Sequence, residues 1–291
     1  PFNLLNMPKL QKGVFWMLTA TLFFSIMGLS VKLGSLKFSP SELVFYRSSI
    51  SLVFIYFLMR LNHIKVQTNY LSLHLKRSIT GFVSLILFFY AIAHLPLGTA
   101  ISLNYTSPLF VGFLLPFVLN RKLNLKIYAS IFIGFLGVFC ILKPVFQDQS
   151  FFAGLMGLLS GFGAALAYLY ITQLGQLKEP DIRTVFYFTL ISTVGSATLL
   201  IGQEIYMPAI DDLIVLLILG TSATIAQIAL TRAYRVGNTL SNAGMSYLTI
   251  IFSALLGLVV LDEAIDMLSL IGIVLIILSG IFVSFKSSRL K

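Results

Sequence analysis

"GTAISLNYTSPLF", residues 98–110, lies within a long apolar stretch, yet it carries a glycine, two threonines, two serines, an asparagine, a tyrosine and a proline. A second stretch, "SNAGMSYLTIIF" at 241–252, has a related mixture. Polar side chains and a helix breaker are costly in hydrocarbon unless they face protein, one another or water. The fold therefore turns on why such a segment occurs twice.

The chain of 291 residues is 58% hydrophobic and 10% charged, with a mean hydropathy of +0.96. A soluble domain is roughly 45–50% apolar and about 25% charged, so an integral membrane protein is expected. Runs of about 20 apolar residues, enough to span the hydrocarbon, fall at 13–34, 41–59, 76–95, 97–119 and 124–143, then at 152–173, 182–202, 211–233, 237–260 and 266–285. That predicts ten helices in an all-α fold. The run at 41–59 is short and the turns within 76–119 and 211–260 are minimal, which leaves nine or eleven as alternatives. The first run is too long for a cleaved signal and no small-residue cleavage site follows it. Met7 is a candidate start, with residues 1–6 read as vector sequence or an amphipathic leader.

A net charge of +10 raises the question of nucleic acid, and the distribution of charge answers it. With ten helices, sixteen of the twenty Lys and Arg residues fall on the face shared by the termini, among them Arg77, Lys126, Arg183, Arg232 and Arg235. Lys37 and Lys143 alone fall on the other, while Lys32 and Arg47 lie inside helices. The acids show the reverse bias, with Asp148, Glu204, Asp211, Asp212, Asp262, Glu263 and Asp266 on the poorly basic face. This is a positive-inside pattern. It predicts both termini in the cytoplasm and no nucleic-acid partner.

Metal and cofactor chemistry find no support. One cysteine, Cys140, excludes an intrachain disulfide and a cysteine cluster, and His63, His74 and His94 form no H-E-x-x-H pair. G-x-S-x-G is absent, so no serine hydrolase is indicated. The chain is read as no enzyme, with no cofactor and no metal.

The halves resemble each other. A shift of 143 aligns Thr99 and Ala100 with Asn242 and Ala243, and Thr106 with Thr249; a shift of 140 aligns Pro40 with Pro180. The expected organisation is a cytoplasmic leader at 1–12, a first five-helix repeat at 13–143, an external linker at 144–151, a second repeat at 152–285 and a basic cytoplasmic tail at 286–291. Five helices is an odd number, so the second repeat must run inverted through the membrane. Secondary transporters exploit that symmetry, binding near the midplane and exchanging conformations between halves.

"YAIAHLPLGTAISLNYTSPLFVGFLLPFVLNRKL" (90–123), "ALTRAYRVGNTLSNAGMSYLTIIFSALLGLVVLDEAI" (229–265) and "SPSELVFYRSSIS" (39–51) together resemble the EamA-type domains of the drug/metabolite transporter superfamily. The resemblance spans essentially the whole chain and puts Arg47 in the family's second-helix motif. It departs at Asn120, where an acid is more usual and the second copy has Glu263, and at Ile251, where the second copy lacks the proline supplied by Pro108. The two copies are therefore expected to bend unequally. Proteins of this type are often exporters.

The candidate solute-binding residues are Arg47, Asn104, Tyr105, Ser107, Tyr168, Gln227, Asn242, Ser246 and Tyr247, with Pro108 as the helix bend. Tyrosines would pack on a solute, amides would orient it, and Arg47 would meet a carboxylate or else anchor its helix. Lys32, His94, Arg232 and Arg235 sit close enough to helix ends to reach an interface. Gly157 and Gly161 make a G-x-x-x-G step for close helix packing. No carboxylate falls mid-helix, which favours exchange or facilitated movement over carboxylate-coupled pumping. The expected partners are a small organic solute and membrane lipids. The solute classes left open are amino acids and their derivatives, organic anions, vitamins and nucleobase-like compounds; direction and oligomeric state are also open, and a lipid translocator or membrane scaffold is the alternative.

Overall fold

In hydrocarbon a backbone satisfies its own polar groups or is shielded by protein, and this chain does so with helices. The computed structural model describes residues 9–119, 125–142, 150–263 and 266–287, and all regular structure among them is helical. The first half holds α1 (Lys9–Gly34), α2 (Pro40–Leu61), α3 (Leu71–His94), α4 (Leu97–Asn104), α5 (Ser107–Leu119) and α6 (Leu125–Leu142). The second holds α7 (Ser150–Gln176), α8 (Asp181–Leu199), α9 (Ile210–Val236), α10 (Thr239–Met245), α11 (Leu248–Leu261) and α12 (Met267–Ser287). Eight stretches are long and apolar enough to cross a membrane, counting α4–α5 and α10–α11 as one each, and parts of α6 and α12 are apolar but shorter. Residues 9–12, expected in the leader, begin α1, and 150–151, expected in the linker, begin α7. The rest of the leader and linker, Asn120 to Lys122, Lys143, Asp148 and residues 288–291 lie outside the described residues.

Local sequence sets the helix starts. Ser39 Oγ accepts from Glu42 N at 3.3 Å while Glu42 Oε2 accepts from Ser39 N at 2.7 Å, a reciprocal cap with Pro40 in the first turn, where its missing N–H costs nothing. Asp212 Oδ2 accepts from Ala209 N at 3.0 Å to start α9.

The runs 97–119 and 237–260, each expected as one helix, are both broken. At the first break the Thr106 hydroxyl donates to Leu103 O at 2.7 Å, and the Thr106 amide reaches the same oxygen at 3.3 Å. At the second, the Ser246 hydroxyl donates to Ala243 O at 2.6 Å, while its amide is shared between Asn242 O at 3.1 Å and Ala243 O at 3.3 Å. Each break is a tightened i to i−3 turn whose exposed carbonyl is taken by a hydroxyl. Pro108 is the second residue of α5, so it starts a helix rather than bending one. The second copy is broken as well, without a proline, and a hydroxyl again takes the carbonyl three residues back. Thr106 matches Ser246, an offset of 140, so aligning Thr106 with Thr249 misplaced this segment by most of a helical turn.

Packing is reciprocal between the halves. α1 lies on α9 as α7 lies on α3, α2 touches α9 as α8 touches α3, α11 touches α1 as α5 touches α7, and α2–α8 and α6–α12 form the two flanks. Gly157 and Gly161 bring α7 against the first break. A Cβ on Gly161 would sit 2.7 Å from Thr106 Oγ1, 2.8 Å from Asn104 O and 2.9 Å from Leu103 O. The outward faces expose large apolar side chains such as Val53, Phe57, Phe132, Ile214 and Val259, as a lipid-facing surface requires.

Gly161→Ala should therefore destabilise the protein by about 1–3 kcal/mol, since two of the three obstructing atoms are backbone. Thermal unfolding in detergent measures it, with Gly161→Leu expected to be worse.

Candidate functional site

Beside the first break lies a cavity of about 70 Å³, walled by α1, α2, α3, α4, α7, α8 and α9. Arg47, Arg77, Asn104, Tyr105, Tyr168 and Gln227 supply its polar lining. Arg47, Arg77, Asn104, Tyr105 and Gln227 are each no more than 5% exposed, while Tyr168 is half-buried. The cavity has room for roughly two waters at about 30 Å³ each.

The helices place these groups differently. Arg47 sits two turns into α2, with its guanidinium carbon 5.1 Å from the centroid of the Phe188 ring on α8. Arg77, on α3, stacks over the same ring at 3.9 Å. Neither has a carboxylate within 4.0 Å among the described residues, and Nε and Nη1 of both are buried without a hydrogen-bond partner. Gln227 Nε2 on α9 is likewise buried and unpartnered. Asn104, the last residue of α4, donates from Nδ2 to Ser160 Oγ at 2.8 Å, and Ser160 O accepts from Ser84 Oγ at 2.7 Å, tying α3, α4 and α7 together at the cavity. Tyr168 stacks on Tyr234 at 5.0 Å.

The second broken helix does not reach this cavity. Asn242 Nδ2 donates to Ala233 O at 2.5 Å and so closes the end of α9. Ser246 spends its hydroxyl on its own break. Tyr247 packs in the apolar core with its hydroxyl unpartnered. Ser107 is fully buried but is not part of the lining. At the second break Met245 stands in the place of Tyr105 and packs against an apolar cluster that includes Met17, Ala229 and Tyr234. Arg77 and Phe188 were missed as site residues. Arg77 was counted as an interfacial charge because α3 was expected to start at 76; it starts at Leu71, which draws Arg77 about 9 Å into the helix. Arg77, Gly81, Ser84 and Phe88, spaced four, three and four apart, mark the face that lines the cavity.

Charged contacts close both ends of the bundle. At one end Lys37 Nζ lies 2.7 Å from Asp212 Oδ1, Lys32 Nζ lies 3.5 Å from Glu263 Oε1, and Glu263 Oε2 accepts from Leu97 N at 2.6 Å. Lys32 also donates to Leu95 O at 2.7 Å, ending α3, and His94 bonds Tyr90 O at 2.8 Å. At the other end Glu179, in the α7–α8 connection, holds Arg183 at 3.0 Å and His74 at 3.2 Å, while Asp181 pairs with Arg232 and, at 3.7 Å, with Arg235.

The sequence pattern of the EamA-like transporter family matches residues 11–143 and, again, residues 151–285. The chain belongs to the EamA-like transporter family. It is 31% identical over 275 residues to a pseudopaline exporter of Pseudomonas aeruginosa, covering 94% of this chain and 96% of that protein. It is 30% identical over 285 residues to an uncharacterized transporter of Helicobacter pylori, covering 94% and 95%. An S-adenosylmethionine uptake transporter of Rickettsia prowazekii is 23% identical over 281 residues, covering 95% and 94%. A crystal structure 18% identical in sequence superposes with a TM-score of 0.75 over 97% of this chain and 100% of its own, a likeness of fold. The protein is thus a multi-pass membrane transporter of small molecules and not an enzyme.

Burial pushes the Glu179 carboxyl up, but bonds from His74, Arg183 and Thr68 outweigh it and hold the group below its usual pKa. A lowered carboxylate contributes stability that is complete above the ordinary value and is lost as pH falls through the lowered one. Glu179→Gln should lower the unfolding midpoint at neutral pH and flatten its decline in acid, read from thermal unfolding across a pH series.

Proposed function

We propose that this protein is a secondary transporter that carries a small organic metabolite across a bacterial inner membrane by alternating access between two inverted five-helix repeats. The observation that carries the reading is a small cavity walled by helices from both halves, into which Arg47, Arg77 and Gln227 bring unpartnered side-chain nitrogens, with ion pairs at both ends of the bundle. The cavity's volume is well below the roughly 300 Å³ of small ligand pockets. The closed state must therefore open at one end or the other to admit a solute, and the two sets of ion pairs are the contacts that would part in turn.

Ten crossings follow if α6 and α12 span alongside the eight longer stretches. The reciprocal packing of the halves supports a pseudo-two-fold relation, and an odd number of crossings in each half makes it inverted. The end that holds Lys65, Lys178, Arg183, Arg232 and Arg235 faces the cytoplasm by the positive-inside rule, with both termini on that side. The described acids all lie at helix ends or in connections, so movement by exchange or down a gradient is preferred to carboxylate-coupled pumping. The exporter and uptake functions of relatives leave either direction open to this chain. A lipid translocator is the less favoured reading, because the polar lining lies among helices of both halves, whereas the outward faces are apolar.

The test is exchange from proteoliposomes preloaded with a mixed metabolite extract, read by mass spectrometry. A few solutes should leave with the wild type, roughly fivefold to thirtyfold more slowly with Gln227→Ala, and a proton gradient alone should drive no concentrative uptake. Release of no solute by folded protein would remove the carrier reading, and phospholipid movement in its place would establish the translocator.

A further inference from the structure

Resting on the transporter reading, we infer that the solute bears two negative charges and that Arg47 and Arg77 bind it jointly against the Phe188 ring. Their guanidinium carbons lie 5.1 Å and 3.9 Å from one ring centroid. Two like charges so placed repel each other, and each has been taken out of water, with Arg47 1% and Arg77 2% exposed. A buried charge is ordinarily paired or hydrogen-bonded, as the buried carboxylates of this chain are: Asp212 with Lys37, Glu179 with Arg183 and His74. Among the described residues the two arginines are the exception, and both line the same cavity.

The ring offers each cation the negative face of its quadrupole, which offsets part of the desolvation and leaves Nε and Nη1 of each unused. Arg47 Nε and Nη1, Arg77 Nε and Nη1, and Gln227 Nε2 are all donors without acceptors. The site thus has a surplus of donors and two positive charges, and lacks the acceptors and negative charge that a solute must bring. A neutral solute would leave both charges uncompensated and a mono-anion would leave one. A dianion neutralises both and satisfies the donors together. Planar carboxylate or phosphate groups match guanidinium geometry, and either an organic dicarboxylate or a single doubly charged phosphoryl group meets the requirement.

The full-length protein in detergent tests this through its thermal unfolding midpoint, at matched ionic strength, with glutarate, inorganic phosphate, butyrate, glutaramide and putrescine as probes. Glutarate, phosphate or both should raise the midpoint, and the three others should not; which dianion acts separates carboxylate from phosphoryl recognition. Arg47→Gln and Arg77→Gln should each weaken that response by at least roughly thirtyfold in the concentration required. Without ligand, either variant should unfold at or above the wild-type temperature, because an unpaired buried charge has been removed. A purely structural anchor would instead lower it. The wild-type panel needs no variant and so survives one that does not fold. Equal effects of neutral, cationic and dianionic probes, or no effect of either dianion, would overturn the inference. If the solutes released in the exchange assay are neutral or cationic, the dianion site falls and the carrier stands; if dianions bind and nothing is exchanged, the site stands and the carrier falls.

Discussion

A carbonyl that loses its helical donor inside a membrane must find another partner or be shielded by protein, and this structure is organised around two such carbonyls. Leu103 O and Ala243 O are each taken by a hydroxyl three residues on, from Thr106 and Ser246. Because the turn is satisfied within itself, the neighbouring helix can come close without supplying a donor. Gly157 and Gly161 let α7 do so, and Asn104 is then held by Ser160 at the edge of the cavity. The cavity exists where it does because a broken helix is packed against a glycine step.

The charges sort by depth. Near both ends of the bundle, Lys32, Lys37, Arg183, Arg232 and Arg235 meet carboxylates. In these pairs the carboxylate is the more buried partner, as with Asp212 at 8% against Lys37 at 50%. Deeper in, Arg47 and Arg77 have an aromatic ring in place of an acid. Strong pairing there would serve the closed fold better but would leave nothing for a solute to complete. Paired charges at the ends and unpaired cations in the middle are the arrangement that the proposed alternating access would use.

The two halves share a packing scheme without sharing a site. Asn104 and Tyr105 reach the cavity from the first break, whereas Gly244 and Met245 occupy the matching places in the second. Asn242 became a helix-end ligand and Tyr247 a core residue, although their composition looked so like the first copy. Duplicated backbone geometry thus leaves side-chain chemistry free to diverge, and one asymmetric cavity results.

Hydropathy and the twin polar stretches were enough to read an all-helical membrane fold, since this depends on local composition and on the cost of exposing a backbone to lipid, and the resemblance of three segments gave the family. Arg47, Asn104, Tyr105, Tyr168 and Gln227 were legible as polar residues at membrane depth for the same reason. That Arg77 joins Arg47 over Phe188 was not legible, because a cation a few residues inside a helix start reads as interfacial until the start itself is placed. Nor was the departure of Asn242, Ser246 and Tyr247 from the cavity, which is set by what they meet: Ala233 O for Asn242, the broken turn for Ser246 and the apolar core for Tyr247. Sequence determined which segments lie in the membrane and which residues are expensive there. Tertiary structure decided which of those residues face one another, because that depends on helix register and close approach between segments far apart in the chain.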